Sequence, residues 1–131
     1  MRADRLPAIH HVQTAMPEGG EVDARRFYGD LIGLSEIEKP EPLRSRGGVW
    51  FQSGTLQLHL GVDRDFSPAT KAHVAFEVAD IAAVRQSCLD GGHPVRDDDD
   101  LPGYTRFYTD DPFGNRVEIL QPQVAPSAAI N

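Results

Sequence analysis

The sequence predicts an α+β fold built twice over, from two copies of a unit that runs strand, helix, then three strands. Three observations predict it. Two stretches with apolar residues at helical spacing, Val22 to Leu31 and Ile81 to Asp90, each follow a short strand pattern. Each half closes on a strand pair joined by turn chemistry, Ser53-Gly54 in the first and Asp111-Pro-Phe-Gly-Asn115 in the second. Polar residues on the first and last strands recur at matched intervals, 46 residues from His11 to Gln57 and 45 from His73 to Glu118. Self-similarity of this kind marks an internal repeat, here within one domain of 131 residues.

The first unit occupies about residues 8–61. Ala8 to Met16 is a short strand in which His10 and His11 face opposite ways, with His10 structural. Pro17 to Gly20 is a loop. In the helix that follows, Ala24, Phe27, Tyr28 and Leu31 fall on one stripe, and Gly33 is the C-terminal stop. Leu34 to Glu38 is a strand, and Lys39 to Gly48 a proline-bearing loop. Val49 to Gln52 and Thr55 to Gly61 form a hairpin. Leu56, Leu58 and Leu60 share one face of its second strand; Thr55, Gln57 and His59 share the other. Val62 to Lys71 reads as a linker.

The second unit occupies about residues 72–121. Ala72 to Val78 is a strand carrying His73. Asp80 is an N-cap for a helix with the apolar stripe Ile81, Val84 and Cys88, closed by Gly91-Gly92. Val95 begins a short strand, and Asp97 to Asp100 is a solvated acidic loop. Tyr104 to Thr109 is rich in aromatic and β-branched residues, as a strand should be. Arg116 to Leu120 alternates, with Val117 and Ile119 on one face and Glu118 on the other. Residues 122–131 read as a frayed tail.

Composition narrows the function. A net charge of −7 argues against nucleic acid or an anionic membrane as partner. Cys88 is the only cysteine, which excludes a disulfide framework and fits a reducing cytoplasm. There is no apolar run of membrane-spanning length, and residues 1–7 lack the pattern of a signal peptide. Small molecules remain as partners. Glu118 is the residue that speaks to chemistry. A carboxylate in mid-strand, beside two residues that belong in a core, is costly unless something binds it, and a metal ion would. Matched spacing points four polar side chains, His11, Gln57, His73 and Glu118, toward a shared concave pocket.

The residues that carry a resemblance are Ile9-His-His-Val12, Phe27-Tyr-Gly-Asp-Leu-Ile-Gly-Leu34, Ala72-His-Val-Ala-Phe76 and Asp111-Pro-Phe-Gly-Asn-Arg-Val-Glu118. From Ala8 to Gln121 the chain resembles the vicinal oxygen chelate superfamily: glyoxalases, extradiol dioxygenases, and fosfomycin- and bleomycin-resistance proteins. The resemblance implies paired βαβββ modules forming a cupped, barrel-like mixed sheet with helices outside, and a homodimer. It implies a divalent metal, Fe, Mn, Ni or Zn, with His11, Gln57, His73 and Glu118 at the ligand positions. Two imidazoles and a carboxylate with open positions suit such ions. Gln57 stands where glyoxalases usually carry Glu; His59, two residues on and on the same face, is an alternative ligand and otherwise a pocket residue.

The activities this implies are glyoxalase-like lyase or isomerase chemistry on vicinal oxygens, ring cleavage by an extradiol-type dioxygenase, or fosfomycin-type transfer. Glu118 would ligate and move protons, with Tyr108 beside it as a second catalytic group. Gln13, His59, Arg106 and Arg116 would line the substrate pocket. Ala15 replaces the Arg with which glyoxalase I grips glutathione, and no His occupies positions 99–101, where a dioxygenase signature wants one. A non-catalytic bleomycin-type sequestering protein is the remaining expectation; it would need no metal.

Overall fold

The computed structural model describes residue 5 and residues 7–123. The chain divides into two compact units between Phe66 and Ser67. The expected tail falls largely on residues 124–131, outside the described residues, whereas Pro122 ends the last strand.

In the first unit, β1 (Val12–Met16) leads to α1 (Glu21–Ala24), which runs on as a π-helix over Arg25–Leu31. The π geometry shows in the Ile32 amide donating to the Phe27 carbonyl five residues back at 2.9 Å. The smaller angle between successive side chains lets consecutive Phe27 and Tyr28 both bury. Tyr28 reaches Phe51, ring centroids 5.9 Å apart. Next come β2 (Ser35–Ile37), a single turn α2 (Glu41–Arg44), β3 (Val49–Ser53) and β4 (Leu56–Val62). The turn α2 replaces the loop expected over Lys39 to Gly48, because Pro42 sits in its first turn, where a missing N–H costs nothing.

The second unit repeats the order as β5 (Val74–Glu77), α3 (Ile81–Asp90), β6 (Arg96–Asp97), β7 (Tyr104–Asp110) and β8 (Arg116–Pro122). Asp80 caps α3 as expected, its Oδ1 accepting the Ala83 amide at 3.1 Å. Each unit is a four-stranded mixed sheet, ordered β1-β4-β3-β2 and β5-β8-β7-β6. In both, the first strand runs parallel to the last and the remaining pairs are antiparallel. Two βαβββ modules of identical topology are therefore present, as the repeat predicts.

One face of each sheet is core. Val49, Phe51, Leu58 and Leu60 bury with Phe27 and Tyr28 in the first module; Phe107, Val117 and Ile119 bury with Cys88 in the second. Burial pushes the Cys88 thiol up, leaving an inert core group rather than a nucleophile. The opposite faces carry the polar residues.

Candidate metal centre

The polar face of the second module is read along its register. Arg96 pairs with Tyr108, Tyr108 with Glu118, and Glu118 with Ala75, so these side chains form one row across four strands. His73 immediately precedes β5 on the same face. It reaches diagonally to Glu118, with Nε2 2.9 Å from Oε1. Its other nitrogen, Nδ1, lies 2.9 Å from the Lys71 carbonyl. A carbonyl only accepts, so Nδ1 carries a proton. A neutral imidazole then has no second N–H for the carboxylate. Nε2 is then the nitrogen turned to the carboxylate, where a proton or a metal ion would be shared. The backbone carbonyl thus orients the ring in the way that outer partners orient metal-binding histidines.

Glu118 is buried at 6 % exposure, and Arg106 donates from Nη1 to its Oε2 at 3.4 Å. The same guanidinium gives Nη2 to Asp98 at 3.1 Å. Asp98 is half-buried, and its carboxyl is held below its ordinary range by the Asp100 backbone N–H and by Arg106. The acidic loop is therefore not merely solvated. The mid-strand placement of Glu118 is also supported by His73 and Arg106 before any ion is invoked. Tyr108 meets His73 edge-on at 5.5 Å between ring centroids. Its ring faces two cations, Arg116 Cζ at 3.9 Å and Arg106 Cζ at 5.2 Å.

The first module places different chemistry on the same frame. His59 is buried at 2 % exposure between two parallel rings, Trp50 at 3.7 Å and His11 at 4.1 Å. Burial first, then the neighbouring His11 and His10, pushes its imidazole down to about 4, so it is neutral near pH 7. Its Nε2 lies 3.1 Å from Gln57 Oε1. His11 and His10 are exposed, with their Nδ1 atoms 2.9 Å apart. His10 therefore does not face away from His11: both precede the paired residues of β1, where strand alternation has no hold.

Register corrects the matching by spacing. The first parallel pairs are Val12 with Leu58 and Val74 with Val117. The next are Gln13 with His59 and Ala75 with Glu118. Since His11 and His73 each stand one residue before the first pair, the counterpart of Glu118 is His59, and that of Gln57 is Arg116. The hairpins agree, with Trp50 opposite His59 and Tyr108 opposite Glu118. Equal intervals misled because the connections differ: a tight Gly54-Thr55 turn and an extra helical turn in one module, a five-residue turn over 111–115 in the other. A sequence signal for the true match exists in Leu58-His-Leu60 against Val117-Glu-Ile119, each a polar residue between two that bury.

Among the described residues, no group of three or more His, Cys, Asp and Glu side chains converges on one point. The second module presents an oriented pair, and the first a stack of rings. Gln13 lines a 270 Å³ cavity in the first module with Lys39, Arg46 and Trp50; a Cβ on Gly61 would come within 2.7 Å of its amide. Arg116 lines a 360 Å³ cavity in the second. Trp50, Asp98 and the Lys71 carbonyl also contact predicted site residues (His59, Arg106 and His73 in turn), Asp98 from a run that reads in the sequence as a solvated loop. Only the cross-strand pairing and the loop path reveal them.

The family model for the Glyoxalase/Bleomycin resistance protein/Dioxygenase superfamily matches residues 9–119. The chain belongs to that superfamily. A crystal structure described as a glyoxalase family protein, from Bacillus anthracis, is 47% identical; the match covers 90% of this chain and 97% of that one, with a TM-score of 0.85. The fold is shared at lower identity with a lactoylglutathione lyase from Agrobacterium tumefaciens (23%, covering 88% and 96%, TM-score 0.63). It is shared too with the fosfomycin resistance protein FosX from Listeria monocytogenes (12%, covering 91% and 96%, TM-score 0.72). None of the curated proteins matches the chain. The superfamily thus includes enzymes, and no helix among the described residues is long and apolar enough to cross a membrane.

Proposed function

We propose that this glyoxalase-superfamily protein is a divalent-metal-dependent enzyme acting on a small substrate through two vicinal oxygens. The observation that carries the reading is the His73–Glu118 pair, with Nδ1 anchored on the Lys71 carbonyl and Nε2 set against a buried carboxylate. That donor chemistry fits Fe, Mn, Ni or Zn. Within its own unit the first module offers His11 and His59 as donors, and Gln57 takes an orienting role through its contact with His59. A bound ion would polarise a substrate carbonyl and offset negative charge developing on the oxygens.

The chain's own residues supply the rest. Glu118 holds or accepts a proton at the carboxylate oxygen not turned to His73, the oxygen to which Arg106 donates at 3.4 Å. Tyr108 walls the site beside His73. Lyase or isomerase chemistry fits this set, since one buried carboxylate serves as ligand and proton carrier. A homodimer is carried over from the family resemblance. Localisation in the cytoplasm rests on the single buried cysteine and the acidic charge.

One observation favours the sequestering alternative: Arg106 already satisfies the second oxygen of Glu118, as a purely structural ion-pair network would have it. Elemental analysis of protein purified without chelators decides between the two. Near-stoichiometric metal in wild type, lost in His73→Ala and Glu118→Gln, supports the enzyme. Wild type that stays empty after incubation with each of the four ions refutes it in favour of sequestration.

A further inference from the structure

We propose that Arg116 is an oxyanion-binding residue, so that the substrate carries a carboxylate or phosph(on)ate group next to its vicinal oxygens. The polar face of the second module holds three arginines. Arg96 is locked to Asp110 by two hydrogen bonds, at 3.2 and 2.8 Å. Arg106 is locked to Asp98 and Glu118. Arg116 has no carboxylate within ion-pair distance among the described residues. Its Nε, like that of Arg106, is buried without a hydrogen-bond partner, an arrangement that is costly to leave unmade.

The side chain is nevertheless held in place. The Tyr108 ring lies 3.9 Å from Cζ and fixes the plane of the guanidinium, and the backbone amide is anchored on the Ala69 carbonyl at 2.8 Å. A planar fork stacked on an aromatic face, with Asp98 acting on it only beyond ion-pair distance, is suited to take an oxyanion through two N–H groups. The space for one is present. Arg116 lines a cavity of 360 Å³ with Thr70, Gly114, Arg96 and Asp110. Gly114 adopts φ +91° and packs closely on Pro68, where a Cβ would stand 3.3 Å from the proline Cβ.

Arg116 stands two residues before Glu118 on the same face of β8, about 7 Å along the strand. A group bound there would belong to a molecule whose vicinal oxygens, on the reading above, lie at Glu118 a few bonds away. The identification of the oxyanion with the substrate rests on that reading; the oxyanion site itself does not.

The test is a ¹⁵N NMR titration of metal-stripped full-length protein with inorganic phosphate. Saturable shifts at Thr70, Gly114 and Arg116 are expected in wild type. Arg116→Gln should weaken binding by roughly tenfold or more, and Arg116→Lys, which keeps the charge but not the fork, should also weaken it. Glu118→Gln should leave it intact or strengthen it. Arg85→Gln, outside the cavity, should change nothing. Absence of saturable binding in wild type, equal affinity in Arg116→Gln, or an equal loss in Arg85→Gln would each overturn the proposal. Phosphate binding that depends on Arg116 in a protein that takes up no metal would sink the metal reading alone.

Discussion

The two modules share a topology, a register and a rule, and differ in what the rule is applied to. Each puts a histidine before its first strand and one polar residue between two buried apolar ones on its last. In the first module that residue is His59, neutral and stacked between Trp50 and His11. In the second it is Glu118, paired with His73 and tied to Arg106. The same lattice of strands therefore places a neutral imidazole on one copy and a carboxylic side chain on the other. Duplication fixes where the donors stand; substitution decides their charge. The edges follow suit. A helix arginine grips an edge-strand carboxylate in both copies, Arg25 with Glu36 at 2.9 and 3.3 Å and Arg85 with Asp97 at 3.1 and 2.8 Å.

The sharpest way to break the comparison is at its charged end. Glu118→Gln should lose metal affinity by more than about 100-fold, exceeding the loss from an outer partner. Isothermal titration with Mn²⁺ and Zn²⁺ reads this, and retention of affinity would leave the two modules equally silent.

The neutral end has a pH signature. The folded imidazole of His59 sits at about 4, below its usual 6.5, so between those values the unfolded chain binds more protons. The stability that His59 contributes is full above pH 6.5 and is lost as pH falls toward 4, in total about 3 kcal/mol. His59→Phe keeps the ring stack and removes the titration. Urea unfolding of metal-free protein from pH 7 to 4 should show a shallower decline for the variant; parallel curves would place the imidazole in water.

The hairpin turns sharpen the contrast in construction. In the second module, Asp111 Oδ1 accepts the Phe113 and Asn115 amides and Oδ2 accepts Asn115 Nδ2, all at 2.9 Å. Asn115 Oδ1 in turn takes the Ala69 amide, tying the turn to the segment before β5. Asp111→Ala should destabilise by about 2–3 kcal/mol in thermal unfolding. The first module turns on Gly54 at φ +57° with open space around it, so Gly54→Ala should cost only about 1 kcal/mol. The smallest effect belongs to the helix-to-edge ion pairs. Arg25→Gln and Arg85→Gln should barely move the melting midpoint, and any shift should vanish in high salt.

Much of the fold was legible in the sequence. Strand alternation, the Asp80 cap and the two helical stretches place all eight strands and both long helices within a few residues, because period and capping are local. The π geometry after Ala24 was not legible, since it depends on how Phe27 and Tyr28 meet the sheet. The single turn at Glu41–Arg44 was hidden by two prolines that read as loop. At the site, His73 and Glu118 were found and come together. The equivalence of His59 and Glu118 was not legible, because intervals along a chain do not give register when connections differ in length. Arg106 was read as facing substrate; its pairing with Asp98 depends on a loop path that no pattern in the sequence encodes.

The equivalence of His59 and Glu118 follows from register, not from spacing. Its most direct test is metal affinity measured side by side for His59→Phe and Gln57→Ala, with folding checked by circular dichroism. The duplication predicts a large loss for His59→Phe and a change of only a few-fold for Gln57→Ala. Loss confined to Gln57→Ala would contradict it and return the donor role to the residue that spacing selected.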